Sequence, residues 1–267
     1  MLYNCHMRKL ICIIIIILTT GIYKTSYSQS CSEQPVSIEH HSITSEILHG
    51  ELLFDVYVPP CLDERILGGY PVIYMLHGQD MDTGIWKEMG MDKIIRDTIN
   101  ENGLPLFLTV VPQEDQYLLS PSLSGYAEAL LTELIPWIDE HYPTCTDRLC
   151  RGIGGLSRGA LWAEKIAFEN ADLFSSLSLL SMPGTWLDEQ SRYYLAEKHK
   201  PENLLQIRMD SGSEDRYRQE AAKVSSDLTI IGYSYEFYIH PGAHDADFWQ
   251  SRLYDLFIWF CERFNLP

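Results

Sequence analysis

Two stretches of this chain, PVIYMLHG (71–78) and LPLFLTVVP (104–112), are apolar almost without a break. A strand with one face in water alternates apolar and polar residues. A strand covered on both faces does not, so such runs belong to a sheet sandwiched between helices. The segments around them agree. WKEMGMDKIIRDTINENG (86–103) reads as a helix stopped by Asn102-Gly103. SGYAEALLTELIPWIDEHY (124–142) reads as a second helix, kinked or broken by Pro136. ELLFDVYVP (51–59), RLCRGIGGLS (148–157), FSSLSLLS (174–181), LLQIRMD (204–210) and YSYEFYIH (233–240) read as strands. RGALWAEKIAFEN (158–170) and DFWQSRLYDLFIWFCERF (247–264) have helical patterns. Strands alternating with helices imply an α/β fold, a mostly parallel central sheet with helices on both faces.

The first residues form a separate object. Arg8 and Lys9 precede the apolar run LICIIIIIL (10–18), and the polar stretch TSYSQS follows. This is the pattern of a secretory signal peptide, residues 1–28, with Ser26 and Ser28 at the cleavage site. The run is shorter than the ~20 residues of a membrane span, so no stable span is expected in the mature chain. Residues 31–267 show no repeat or linker and are expected to form one domain. The net charge of −17 disfavours nucleic acid as a partner, because phosphates would be repelled.

Export permits disulfides. Cys31, Cys61, Cys145, Cys150 and Cys261 lie beyond the leader, and Cys261 sits in an apolar helical pattern as a buried thiol. A bridge between Cys61 and Cys145 is expected if the strand before Cys61 runs antiparallel beside PVIYML. Cys145–Cys150 would close a tight loop, and Cys31 could pair with either. No cysteine spacing resembles a zinc site, so no metal is expected.

GGLSRGA (154–160) holds Gly-x-Ser-x-Gly between a strand and a helix. In that context Ser157 is a candidate nucleophile on a tight turn, facing the amides of a helix N-terminus. A serine hydroxyl needs a base, and the base needs an orienting acid. Of the histidines that follow, His199 lies in a charged stretch and His240 ends a strand. His244 sits in the loop before the last helix, where a base belongs in the order Ser, acid, His. LLQIRMDSGSEDR offers Asp210, Glu214 and Asp215 as the acid. An oxyanion hole takes two backbone N–H groups, here those of Arg158, after the serine, and Gln79, after MLHG.

The segments YPVIYMLHG, GGLSRGALWA, GSED and HPGAHDADFW, with TELIPWIDEHY, resemble the esterase D family of α/β-hydrolases over residues 51–264. That group holds feruloyl esterases, enterochelin esterases, S-formylglutathione hydrolases and mycolyltransferases. The resemblance implies a cofactor-free serine esterase with Ser157, Asp215 and His244 as triad and the Gln79 and Arg158 amides as oxyanion hole. The family's Gly-x-x-Asp pattern selects Asp215. Gly212 is expected to take a positive φ that turns Asp215 back over His244, leaving Glu214 in solvent. Ala160 replaces a common third glycine, and Arg158 replaces a frequent methionine, which would narrow or charge the acyl side. Trp86, Trp186 and Trp249 are candidate substrate-binding residues, with Tyr117, Tyr193 and Tyr194 as further aromatics, and 183–203 is the expected lid or pocket wall. Carbohydrate or hydroxycinnamoyl esters fit this reading. An acyltransferase with the same triad, and a non-catalytic binding protein on the same fold, are the rival classes.

Overall fold

The computed structural model describes residues 34–63, 65–101, 104–115, 118–198 and 205–264. The leader, Cys31, Tyr117 and His199 lie outside the described residues. One eight-stranded sheet organises the rest: β1 (Ser37–Ser45), β2 (Gly50–Val58), β3 (Val72–Leu76), β4 (Leu108–Pro112), β5 (Arg151–Leu156), β6 (Ser176–Leu180), β7 (Gln206–Gly212) and β8 (Tyr235–His240). Their spatial order is β1-β2-β4-β3-β5-β6-β7-β8. β1 and β2 pair antiparallel, as do β2 and β4, and every other pairing is parallel.

The helices are α1 (Gly84–Glu88), α2 (Met91–Asn100), α3 (Pro121–Ser124), α4 (Tyr126–Ala129), α5 (Ile135–His141), α6 (Arg158–Glu169), α7 (Glu189–Lys198), α8 (Arg218–Ile230) and α9 (Ala246–Arg263). The pleat explains why the central strands read as unbroken apolar runs. Val72, Tyr74 and Leu76 of β3 face one core with α5, α6 and α8, while Ile73 and Met75 face the other with α2 and α9. Both faces are dry, so alternation sorts residues between two cores rather than between core and water. The expected fold class is therefore the observed one.

Three local readings change. The helix expected over 86–103 is two, because Gly90 at φ 74° separates α1 from α2. The second expected helix is not broken at Pro136: a π-helical turn, Leu130–Leu134, leads directly into α5, with right-handed helical angles at the junction. β1 carried no signal: SIEHHSITS is an edge strand that pairs with β2 alone, while its His41, Glu39 and Ser45 side chains bond to Tyr142 and Glu133.

The expected Cys61–Cys145 bridge is not formed. Cys145 is bonded to Cys150 with their Cα atoms 5.9 Å apart, and Cys61 is also disulfide-bonded, but not to Cys145. The premise fails in the sheet order. β2 neighbours β4 rather than β3, so β4 and β3 stand between β2 and the strand that follows Cys145. Neither cysteine lies in those strands, and Cys145 finds its partner locally, five residues on. Cys261 is a buried free thiol. Among the described residues no helix is long and apolar enough to cross a membrane.

Candidate active site

β5 ends at Leu156 and α6 starts at Arg158, leaving Ser157 to make the whole turn at φ 52°, ψ −118°. Few non-glycine residues adopt a positive φ, and such strain persists only where the surroundings enforce it. Here they do. The Ser157 N–H donates to the Leu180 carbonyl of β6 at 2.9 Å. A Cβ at Gly155 would stand 2.4 Å from the Gly159 carbonyl, and one at Gly159 would stand 2.1 Å from the Leu76 carbonyl of β3. The two glycines let helix and strands approach closely enough to force the serine outward.

β7 and β8 deliver the other two side chains at the same edge of the sheet. The Ser213 N–H donates to the His240 carbonyl at 2.7 Å, and the Glu214 N–H to the Gly242 carbonyl at 2.9 Å. The two loops are thus stitched together. Gly212 is needed here, though not for the reason expected from sequence. It is absent from the positive-φ glycines, but a Cβ on it would stand 2.2 Å from the Gly242 carbonyl. Close loop approach, not a left-handed turn, requires glycine at 212.

The result is a continuous chain of polar contacts. His244 Nε2 lies 3.0 Å from Ser157 Oγ, and His244 Nδ1 lies 3.0 and 3.1 Å from the Asp215 carboxylate oxygens. The carboxylate faces Nδ1, so the Nδ1–H donates to Asp215 and Nε2 is left to accept the serine proton. The Tyr217 N–H donates a further 2.8 Å bond to Asp215 Oδ1, and the Asp215 side chain is fully buried. Tyr217 and Trp249 make T-shaped contacts with the imidazole, with centroids 5.0 and 5.2 Å away.

The structure sorts the other carboxylates. Asp210 accepts both nitrogens of the buried Arg208 fork, at 2.6 and 3.0 Å, and His240 Nε2 stands 3.2 Å from it. It belongs to a separate cluster. Glu214 is exposed, as expected.

A cleft of about 390 Å³ opens above Ser157 and His244, lined also by Gln79, Arg158, Tyr217 and Trp249. Of the three tryptophans expected there, only Trp249 lines it. Trp86 is fully buried among Met91, Ile95 and Phe257, so it packs the core instead. The Arg158 guanidinium carbon lies over the Trp186 ring, 5.0 Å from the ring centroid, and Trp186 meets Trp162 in a T-shaped contact. Tyr193 and Tyr194 of α7 are exposed. α7 is tied down by Arg192, whose guanidinium bridges Glu164 of α6 and Asp227 of α8 in a buried triad. The 183–198 part of the expected lid or wall is therefore anchored to two helices.

Sequence reasoning missed Gln113 and Glu114, just past β4. Glu114 accepts the Arg158 fork through both carboxylate oxygens, at 2.8 and 2.7 Å, with both side chains largely buried. The guanidinium charge is neutralised, so Arg158 narrows the cleft more than it charges it. The Glu114 N–H donates to His77 Nε2 at 2.9 Å, and His77 Nδ1–H donates to the Gly78 carbonyl at 2.8 Å. Burial pushes the His77 pKa down, which favours the neutral ring that these two bonds require. Gln113 accepts from the Thr83 N–H at 3.0 Å and donates to the Met81 carbonyl at 3.3 Å. No spacing in the sequence signals these contacts. Among the described residues no cluster of three His, Cys, Asp or Glu side chains is arranged to hold a metal ion.

A family model described as "putative esterase" matches residues 45–260. An endo-1,4-beta-xylanase/feruloyl esterase of Xylanibacter ruminicola is 26% identical over 211 residues, 74% of this chain. The match spans only 28% of that relative's length. A solved ferulic acid esterase superposes with a TM-score of 0.74 at 20% identity, covering 85% of this chain and 98% of that one. A fluorophosphonate-binding serine hydrolase of Staphylococcus aureus superposes with a TM-score of 0.71 at 17% identity, covering 85% and 99%. At these identities the superpositions speak for the fold, which is that of the α/β-hydrolases.

Proposed function

This chain belongs to the putative esterase family, and we propose that it is an exported serine hydrolase of carboxylic esters, acting through Ser157, His244 and Asp215. The observation that carries the reading is the unbroken path from Ser157 Oγ through the imidazole to a fully buried carboxylate. His244 Nε2 removes the hydroxyl proton as Oγ bonds to the ester carbonyl carbon. The carbonyl oxygen becomes an oxyanion held by the backbone N–H groups of Gln79 and Arg158. The alkoxide leaves with the proton from the imidazolium, giving an acyl-enzyme and a free alcohol. Water then enters, loses its proton to His244 and releases the acid, restoring Ser157. Asp215 stays ionised and stabilises the imidazolium in both half-reactions. No step calls for a metal or an organic cofactor.

For the substrate, we infer an ester of a carbohydrate or a hydroxycinnamoyl acid. The cleft volume accommodates an aromatic acyl group, and Tyr217 and Trp249 present aromatic surface beside the base. The similarity to a feruloyl esterase chain points the same way. Export is supported by the leader pattern and by a disulfide, which persists in oxidising compartments. The test is a panel of acetyl, butyryl, feruloyl and long-chain esters, with Ser157→Ala as blank. Turnover highest on feruloyl or acetylated sugar esters is expected. Turnover confined to long-chain esters would reject the substrate class, and turnover unchanged in Ser157→Ala would reject the mechanism. Running the panel with an added sugar acceptor separates hydrolysis from acyl transfer.

A further inference from the structure

We propose that Glu114 is a positioning residue that clasps the two halves of the oxyanion hole into one rigid unit. The inference rests on the serine-esterase reading above and goes beyond it. The two amides that would hold the oxyanion come from segments far apart in the chain: Gln79 follows β3, and Arg158 opens α6. Each must be aimed to within a few tenths of an ångström at an atom that exists only in the transition state, because donors 2.7–3.1 Å from that point carry the effect. Neither residue positions the other directly. Glu114 touches both sides.

On the α6 side, the Glu114 carboxylate holds both Nε and Nη2 of Arg158, a two-point grip that fixes the side chain and the first residue of the helix with it. The same guanidinium lies over the Trp186 ring. On the β3 side, the grip is through the backbone. The Glu114 N–H fixes the His77 ring, and the ring fixes the Gly78 carbonyl. The Gly78–Gln79 peptide is trans and planar, so its carbonyl and its N–H point in opposite directions. With the carbonyl turned to His77, the Gln79 N–H is turned away from it, and Gln79 lines the cleft. Gln113, the neighbouring residue, holds the rest of the same loop at Met81 and Thr83. One short segment after β4 thus sets both donors.

The grip is also hard to loosen. The Glu114 and Arg158 side chains are 3% and 12% exposed. Removing one member of a buried, bidentate pair leaves the other charge uncompensated, and the arginine would have to seek solvent through the cleft. A methionine at 158, frequent in the resembling family, would need no such acid. Arg158 and Glu114 are therefore expected to act as a pair.

The test is a double-mutant cycle of Glu114→Gln and Arg158→Met, read on 4-nitrophenyl acetate and methyl ferulate. Active-site concentration is titrated with a fluorophosphonate, so that loss of folded protein is separated from loss of rate. Removing an oxyanion donor outright costs ~10²–10³ in kcat, so mis-aiming one is expected to cost about 10-fold. Each single variant should lose about 10-fold in titrated kcat with KM moved by less than about 2-fold on both esters. The double variant should lose about 10-fold too, not about 100-fold, because both changes break the same clasp. Affinity for a trifluoromethyl ketone, whose adduct places an oxyanion in the hole, should fall in step with kcat. A merely structural role would lower the titrated fraction and leave titrated kcat and inhibitor affinity unchanged. That outcome, or independent additive losses, overturns the clasp while leaving the esterase reading intact. A wild-type protein that neither hydrolyses esters nor reacts with the fluorophosphonate overturns both.

Discussion

Replacing Asp215 by Asn tests the proposed triad with almost no change of shape. In the native site one carboxylate oxygen accepts from the Tyr217 N–H at 2.8 Å, and both face His244 Nδ1 at 3.0 and 3.1 Å. An asparagine has one acceptor oxygen. The Tyr217 donor is backbone and cannot reverse, so it claims that oxygen. The amide NH2 is left facing Nδ1, and because it can only donate, Nδ1 must accept. The ring proton moves to Nε2, which then presents a proton to Ser157 instead of a lone pair. The base is lost together with the charge that steadied the imidazolium. A wrong tautomer of this kind costs ~10⁴ in turnover in serine hydrolases, equivalent to about 5 kcal/mol of barrier. We expect kcat on 4-nitrophenyl acetate to fall by at least ~10² in Asp215→Asn, with a melting curve close to wild type. Glu214→Gln should stay within about 2-fold, since Glu214 is exposed. Asp210→Asn should act on stability, because it weakens the bidentate hold on buried Arg208. A folded Asp215→Asn protein retaining more than a tenth of the activity would refute the reasoning. So would a folded but inactive Asp210→Asn.

Four further outcomes follow from the structure. Ser157→Ala should lower ester turnover by roughly 10⁴ or more and abolish fluorophosphonate labelling, and labelled peptide from another residue would displace Ser157 as nucleophile. Burial pushes the Glu164 carboxyl up to about 7, against the pull of Arg192. The folded state therefore holds a proton there that the unfolded chain has released, and stability falls as pH rises from about 4.5 through about 7. The full effect is about 3 kcal/mol, and denaturant titrations at pH 5 and pH 8 should show it shrinking in Glu164→Gln. Arg192→Met should cost ~3–5 kcal/mol at pH 8, where both acids are left without their partner; an unchanged midpoint would show that the triad is not holding α7. Breaking Cys145–Cys150 with serines should cost about 2 kcal/mol, as the loop it closes is short, and peptide mapping without reductant should recover the two cysteines in one linked fragment.

Much of this protein was readable residue by residue, and the reason is locality. Burial on both faces leaves unbroken apolar runs at β3 and β4, and helical spacing marks α6 and α9, so the α/β alternation follows from patterns a few residues long. The glycines around Ser157 and the chain order of serine, acid and histidine are also short-range or ordinal features. What depended on which strands are neighbours was out of reach. The premise behind the expected disulfide failed because β4 lies between β2 and β3. Trp86 looked like a cleft residue because it follows the oxyanion loop, yet α1 turns it into the core against α2 and α9. Gly212 was expected for its own backbone angle and is required by a carbonyl thirty residues away. Glu114 had no signal at all, since its partners Arg158 and His77 lie 44 and 37 positions from it. Local periodicity records which face a residue turns to the core. Only the packed sheet decides which distant residues share an edge, and the proposed triad is assembled across that edge.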